Sequence, residues 1–336
     1  MLATLSDEPL MSNPANPNSS WFAWAQLVRL PTVFTILADV AAAFLLVAHG
    51  PQPLGRFICI LIGGVALYWA GMILNDVFDV EKDRQERPGR PLPAGLVSMP
   101  SANRAGWGLL VVGIVAAGVS GYVPGTLQGS DTPLPSTWLP GAIAIVLACM
   151  IVAYDGPLKK TPFAPYAMGS CRFLSFLLGA SPCLVVGDAT MIPQYLIAIA
   201  LGFGIYIAGI TSIARDEAVG GNSPSLNTGM LLIIIGSFVL AFAPQTAPRN
   251  LGWQFSPQGM FPILIGLIVF PVIMRGVRLF GNSSAANVQN MIRAGLLTII
   301  PLAASFALLG AGRVAAIAIF ALIVPAILVA MRMRVT

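Results

Sequence analysis

The chain has 336 residues, 57% of them hydrophobic and only 9% charged, with a mean hydropathy of +0.83. A soluble domain carries about 25% charged residues, so a cytosolic enzyme, a disordered protein and a nucleic-acid-binding domain are excluded. The net charge of +5 reflects where basic residues fall along a membrane protein, and no nucleic-acid partner is needed to explain it.

Residues 1–24 are polar and rich in Asn, Ser and Pro; they read as a disordered tail rather than a signal peptide. Residues 25–336 read as one membrane domain. A bilayer core about 30 Å thick takes roughly 20 apolar residues per helix. That ruler predicts spans near 27–48, 55–78, 104–123, 138–154, 166–187, 191–213, 228–244, 258–275, 289–310 and 312–332. Only Gly310, Gly312 and Arg313 separate the last two, so nine or ten helices both fit. The expected fold class is an all-α polytopic membrane bundle. Cys59, Cys149, Cys171 and Cys183 lie in or beside apolar runs without CxxC spacing, which argues for small apolar residues rather than a disulfide framework or zinc site.

Loop charges choose an orientation. Segment 79–104 holds Lys82, Arg84, Arg87, Arg90 and Arg104, and 155–165 holds Lys159 and Lys160. Arg215, Arg275, Arg278, Arg332 and Arg334 follow on the same side, whereas the opposite loops offer Arg56, Arg249 and Arg313. The positive-inside rule then puts the first set in the cytoplasm, as expected of a protein of the cell (inner) membrane.

The densest acidic run is Asn75-Asp76-Val77-Phe78-Asp79-Val80-Glu81-Lys82-Asp83, at the cytoplasmic end of the second span. On a helix, Asn75, Asp76, Asp79 and Asp83 share about 100° of circumference. Three carboxylates beside a membrane repel one another unless a cation sits among them, and hard oxygen donors suit Mg²⁺ with substrate phosphates. The plainer reading is a solvated helix end paired with Lys82, Arg84 and Arg87. Because the acids begin inside an apolar span, where charge is expensive and usually functional, the metal reading is preferred.

The run continues Arg84-Gln85-Glu86-Arg87-Pro88-Gly89-Arg90-Pro91-Leu92-Pro93-Ala94-Gly95. Pro and Gly end the helix and hold a basic loop beside the acids, and arginine's planar fork matches phosphate oxygens. Acids for a metal and arginines for phosphate, side by side at a membrane surface, imply a diphosphate whose organic part is lipid.

Asn75 to Gly95 resembles the first aspartate motif (NDxxDxxxD, then RPxRPLPxG) of the UbiA superfamily of intramembrane prenyltransferases. Arg29-Leu30-Pro31-Thr32 opens the first span as in that family. Tyr154-Asp155-Gly156-Pro157-Leu158-Lys159-Lys160 resembles its Tyr-Pro-x-x-Lys loop with the lysine one residue further out. Met168-Gly169-Ser170-Cys171-Arg172-Phe173-Leu174-Ser175 resembles its Arg-bearing fifth helix. The second aspartate motif (DxxxD) departs: after Ser212-Ile213-Ala214-Arg215 stand Asp216 and Glu217, and the position four beyond Asp216 is Gly220. The sequence looks most like the EboC-type branch of the superfamily.

The resemblance implies transfer of an isoprenyl group from an allylic polyprenyl diphosphate to a small aromatic or hydroxyl-bearing acceptor. Mg²⁺ is the implied cofactor, and the bilayer and both substrates are the implied partners. Asp76, Asp79, Asp83 and Asp216 are the implied catalytic and metal-binding residues, with Glu217 as a substitute ligand. Asn75, Arg87, Arg90, Tyr154, Lys159 and Arg215 are implied substrate contacts. Arg172 is a candidate for the same role or for helix packing, and Asp39, mid-span, either pairs with it or orients the acceptor. Asp155 has the i,i+4 spacing to pair with Lys159 or could guide acceptor chemistry, and the pair is preferred. His49 reads as chemically idle. The competing function is a transporter or non-catalytic lipid-diphosphate carrier, motivated by the incomplete second motif.

Overall fold

A computed structural model of the protein describes residues 17–129, 131–184, 192–215, 224–248 and 251–333. Eight helical stretches among them are long and apolar enough to cross a bilayer: Leu30–Ala48, Leu54–Phe78, Met99–Ser120, Gln194–Arg215, Ser225–Thr246, Met260–Leu279, Ala285–Ala311 and Arg313–Arg332. Two 17-residue helices, Leu139–Asp155 and Ala164–Ala180, fill the remaining expected places; at 1.5 Å per residue each spans about 26 Å. The protein is a multi-pass membrane protein.

Helix α1 (Pro17–Leu27) corrects the expected boundary of the polar tail. Residues 17–24 are helical because Ala23 and Leu27 bury fully against Ile73, Val80, Leu92, Val97 and Ala102, a cluster the first two dozen residues do not reveal by themselves. A 3₁₀ turn at Leu30–Thr32 leads into α2 (Val33–Ala48). Arg29 opens that turn with φ 46°, in the left-handed region, which costs a non-glycine residue roughly 1–2 kcal/mol.

Helices α3 (Leu54–Phe78) and α4 (Val80–Glu86) join at Asp79. The amides of Asp79 and Asp83 still bond the carbonyls four residues back, at 3.1 and 2.8 Å. The helical phase therefore continues across the joint, and the acids keep their spacing. α5 (Met99–Ser120) starts earlier than expected because Ser98 caps it, its hydroxyl accepting from the Ser101 amide, the usual role of an N-cap serine. α6 (Leu139–Asp155) stops at Gly156-Pro157, and α7 (Ala164–Ala180) gives way to a 3₁₀ turn containing Pro182. α8 (Gln194–Arg215), α9 (Pro224–Phe242) and α10 (Met260–Leu279) follow. α11 (Ala285–Leu297) and α12 (Ile299–Ala311) form one stretch, which ends where Gly312 takes φ 84°. α13 (Arg313–Phe320) and α14 (Ile323–Arg332) complete the bundle.

Close helix pairs meet through small residues, as membrane helices do where apolar side chains gain nothing by leaving lipid. At the α8–α9 contact a Cβ added to Gly236 would lie 2.6 Å from the Tyr206 amide nitrogen. At the α7–α8 contact one on Gly169 would lie 2.5 Å from the Gly204 carbonyl. An aromatic group comprising Phe176, Phe203, Phe261 and Phe306, with ring centroids 5.1–6.1 Å apart, fills the bundle about three helical turns from the acidic end.

Candidate active site

The acids of α3 and α4 divide between two faces. Outward, Glu81 pairs with Arg84 at 2.7 Å and Glu86 with Lys82 at 3.8 Å, all four exposed. The solvated pairing expected of a helix end is thus carried by the glutamates. Inward, Asp76 and Asp83 are buried and converge on one guanidinium: Arg90 Nη1 donates to Asp83 Oδ2 at 2.6 Å and lies 3.5 Å from Asp76 Oδ1. Arg29 Nη2 adds a second positive charge 3.7 Å from Asp76. Asp79 pairs instead with Lys159. Asn75, also buried, donates from Nδ2 to Asp155 Oδ1 at 2.8 Å.

Several expectations change. Lys159 does not pair with Asp155, because the chain leaves the helix at Gly156 and the 3₁₀ turn at Leu158–Lys160 carries the ammonium to Asp79. Arg172, by contrast, takes one of its two expected roles, the pair: it sits 3.2 Å from Asp39 and donates to the Thr35 carbonyl at 3.0 Å, joining α7 to α2. It also borders the inner cavity described below. Arg215 donates to the Pro162 carbonyl at 3.2 Å and borders neither cavity described below. Asp216 and Glu217 lie outside the described residues.

Two cavities meet here. The inner one, about 290 Å³, is walled largely by apolar side chains such as Leu67, Ile151, Met168, Ile207 and Ile299, with Tyr154 and Asp155 at its polar margin. The outer one, about 930 Å³, is walled by Arg29, Asp76, Arg87, Arg90, Gln289 and Arg293. Arg29, Thr32 and Ile292 border both. Thr32 is held there by hydrogen bonds to the Arg29 carbonyl and the Tyr68 hydroxyl. Sequence reasoning missed Arg293 and Gln289, since nothing local ties α11 to an acidic motif more than 200 residues earlier. Arg29 carried a signal in its Arg-Leu-Pro-Thr turn, though not the direction of its side chain.

The donor set suits Mg²⁺. Asp76 Oδ1 is buried and makes no hydrogen bond, its charge met by Arg90 and Arg29 at 3.5 and 3.7 Å. Asp83 meets the same Arg90 nitrogen, so a cation bound there would take the place of the guanidinium between the two carboxylates. Among the described residues no three His, Cys, Asp or Glu side chains form a metal-holding group. The expected set of Asp76, Asp79 and Asp83 is thus not assembled: Lys159 draws Asp79 away, and an ion of the Mg²⁺ type would have at most two of these carboxylates and would need phosphate oxygens and water.

Comparison with known proteins gives a consistent result. A curated relative from Methanothermobacter thermautotrophicus, named digeranylgeranylglyceryl phosphate synthase, is 26% identical over 269 residues, covering 74% of this chain and 86% of its own. Relatives of the same name match over shorter stretches. The one from Metallosphaera sedula is 40% identical over 91 residues (27% of this chain), and the one from Methanococcoides burtonii 30% over 165 (49%). In those two the match spans only 26% and 51% of the relative's length. Among solved structures, one described as a digeranylgeranylglyceryl phosphate synthase in membranes superposes with a TM-score of 0.61 at 17% identity, covering 87% of this chain and 99% of its own. A UbiA homolog from Archaeoglobus fulgidus bound to GPP and Mg²⁺ gives 0.59 at 15% identity, over 89% and 99%. The model of the UbiA prenyltransferase family matches residues 35–291. The chain belongs to the UbiA prenyltransferase family.

Proposed function

We propose that the protein is an intramembrane prenyltransferase that moves an isoprenyl group from an allylic polyprenyl diphosphate to a hydroxyl of a phosphate-bearing acceptor. The observation that carries this reading is the junction of an apolar cavity with an arginine-lined one at Arg29 and Thr32, beside buried Asp76. A prenyl chain fits the first and a diphosphate the second, which places the bond to be broken at the boundary. Asp76 and Asp83 would hold Mg²⁺, with Asp79 and Asp216 the further candidates. Mg²⁺ bound there supplies Lewis-acid compensation for the leaving diphosphate. Arg29 and Arg90 hold phosphate oxygens as preorganised charges, and the apolar walls keep water from the allylic cation.

Arg87 and Arg293 extend the outer cavity beyond the Arg90 cluster, which supports a second phosphate, on the acceptor. The product named in the relatives carries two prenyl groups on a glyceryl phosphate, so its last bond is made at a glycerol hydroxyl. This favours a glyceryl phosphate type of acceptor over an aromatic one. The likeness to the EboC-type branch rests on the Arg215-Asp216-Glu217 run, which specifies no acceptor. The basic loops support a site on the cytoplasmic side of the cell membrane.

The test is product formation by the purified chain from labelled geranylgeranyl diphosphate and Mg²⁺, with geranylgeranylglyceryl phosphate or 4-hydroxybenzoate as acceptor. A labelled diether product supports the proposal. Prenylation of the aromatic acceptor alone overturns the acceptor assignment. Saturable binding of the diphosphate without diphosphate release favours the carrier reading instead.

A further inference from the structure

Forming an ether from a hydroxyl requires a place for its proton. Among the carboxylates of the described site, Asp76 and Asp83 face Arg90, and Asp79 is paired with Lys159. Asp39 is paired with Arg172 and borders neither cavity. Asp155 differs from these in making no ion pair among the described residues. It is 5% exposed and stands on the wall of the apolar cavity. One oxygen, Oδ1, is fixed by the Asn75 amide at 2.8 Å. The other, Oδ2, is buried without a hydrogen-bond partner among the described residues. Burying a polar oxygen unpaired is costly, and such an atom is most simply explained by a partner that arrives with substrate.

We infer that Asp155 Oδ2 accepts the proton of the acceptor hydroxyl and that Asn75 is the positioning residue that aims it. This rests on the prenyl-transfer reading above. In the step, the C1–O bond of the allylic diphosphate breaks and its electron pair leaves with the diphosphate. A lone pair of the acceptor oxygen forms the new C–O bond to C1. The O–H electron pair stays on that oxygen, and the proton passes to Asp155 Oδ2. Asp155 ends α6 one residue beyond Tyr154 and lines the same cavity as Arg29 and Thr32, which puts the base within the chamber where the two cavities meet.

The experiment uses the full chain in lipid with Mg²⁺ and geranylgeranyl diphosphate carrying ¹⁸O in the bridging position. The acceptors are geranylgeranylglyceryl phosphate and its counterpart with the reacting hydroxyl replaced by a thiol. Positional isotope exchange reports ionisation alone, and a thiol, being far more acidic, does not need the base. For Asp155→Asn, transfer to the hydroxyl should fall by about 10²- to 10⁴-fold, the range for a general base. Exchange, KM for the diphosphate and transfer to the thiol should remain within about fivefold, and Asp155→Glu should recover part of the lost rate. Equal losses with hydroxyl and thiol, or loss of exchange, would overturn the assignment by showing a structural or ionisation role. Unchanged hydroxyl transfer would overturn it in favour of the departing diphosphate as base. A wild-type chain showing neither exchange nor transfer would instead defeat the prenyltransferase reading, and this one with it.

Discussion

Arg90 stands between two buried aspartates and so holds together charges that would otherwise repel. Replacing it by Gln leaves Asp76 and Asp83 facing each other and removes a phosphate donor. We expect kcat/KM for the allylic diphosphate to fall by about 10²- to 10³-fold, the cost of losing one preorganised charge. Glu81→Gln serves as the contrast, because an exposed i,i+3 pair contributes little; turnover within about twofold of wild type checks that the two faces of α4 differ in function. Asp76→Asn and Asp83→Asn should each abolish diphosphate release while circular dichroism stays helical, and normal turnover in either would remove that residue from the metal site. At the second motif, Asp216→Asn should shift the Mg²⁺ titration of diphosphate release further than Glu217→Gln, because Asp216 has the i,i+4 sequence spacing from Ser212 and Glu217 does not.

Elements are anchored by side chains whose part in the fold is hidden in a charge count. Arg56, counted in the sequence as an outer-loop charge, is 1% exposed in the first turn of α3. Its guanidinium donates to the carbonyls of Val123 at 2.7 Å, Pro182 at 2.6 Å and Pro135 at 3.0 Å, tying the α5–α6 connection and the turn after α7 to one helix. Arg56→Gln should lower stability by roughly 1.5–3 kcal/mol, the worth of charge-assisted hydrogen bonds, read as faster thermal inactivation in detergent with KM unchanged. The spans themselves were legible because apolar length alone sets them, and the acidic run was legible because its spacing is local. Where a turn intervened, legibility ended. Asp155 and Lys159 have helical spacing in the sequence, but Gly156-Pro157 breaks the helix between them, and their true partners lie 80 residues away. Arg293 is the extreme case, brought to the site only by the closure of the whole bundle.

At the scale of the molecule, rings from three different helices pack behind residues that line the apolar cavity. Phe176, Phe203 and Phe306 pack next in sequence or a turn or two beyond the cavity residues Ser175, Ile207 and Ile299, on the side away from the acids. Phe203→Ala should open space there and raise the preference for longer allylic diphosphates, measured as the ratio of kcat/KM for a C20 over a C15 donor. A ratio unchanged in a folded variant would place the chain's end elsewhere. Helix packing itself limits what can be altered: Gly236→Leu, which drives a side chain into the Tyr206 backbone, should prevent assembly of α8 on α9 and abolish expression of folded protein.

The narrow meeting of the two cavities at Arg29, Thr32 and Ile292 has a kinetic meaning. An isoprenoid tail lodged on the apolar side of that junction would gain nothing by crossing into water, so the proposed reaction predicts that its product leaves between helices, into the surrounding leaflet. Departure of product is then a step of lateral lipid diffusion, with a rate set by acyl-chain order. Turnover in stiff, saturated vesicles should fall well below that in fluid ones, while thickening the aqueous buffer with glycerol should leave it nearly untouched.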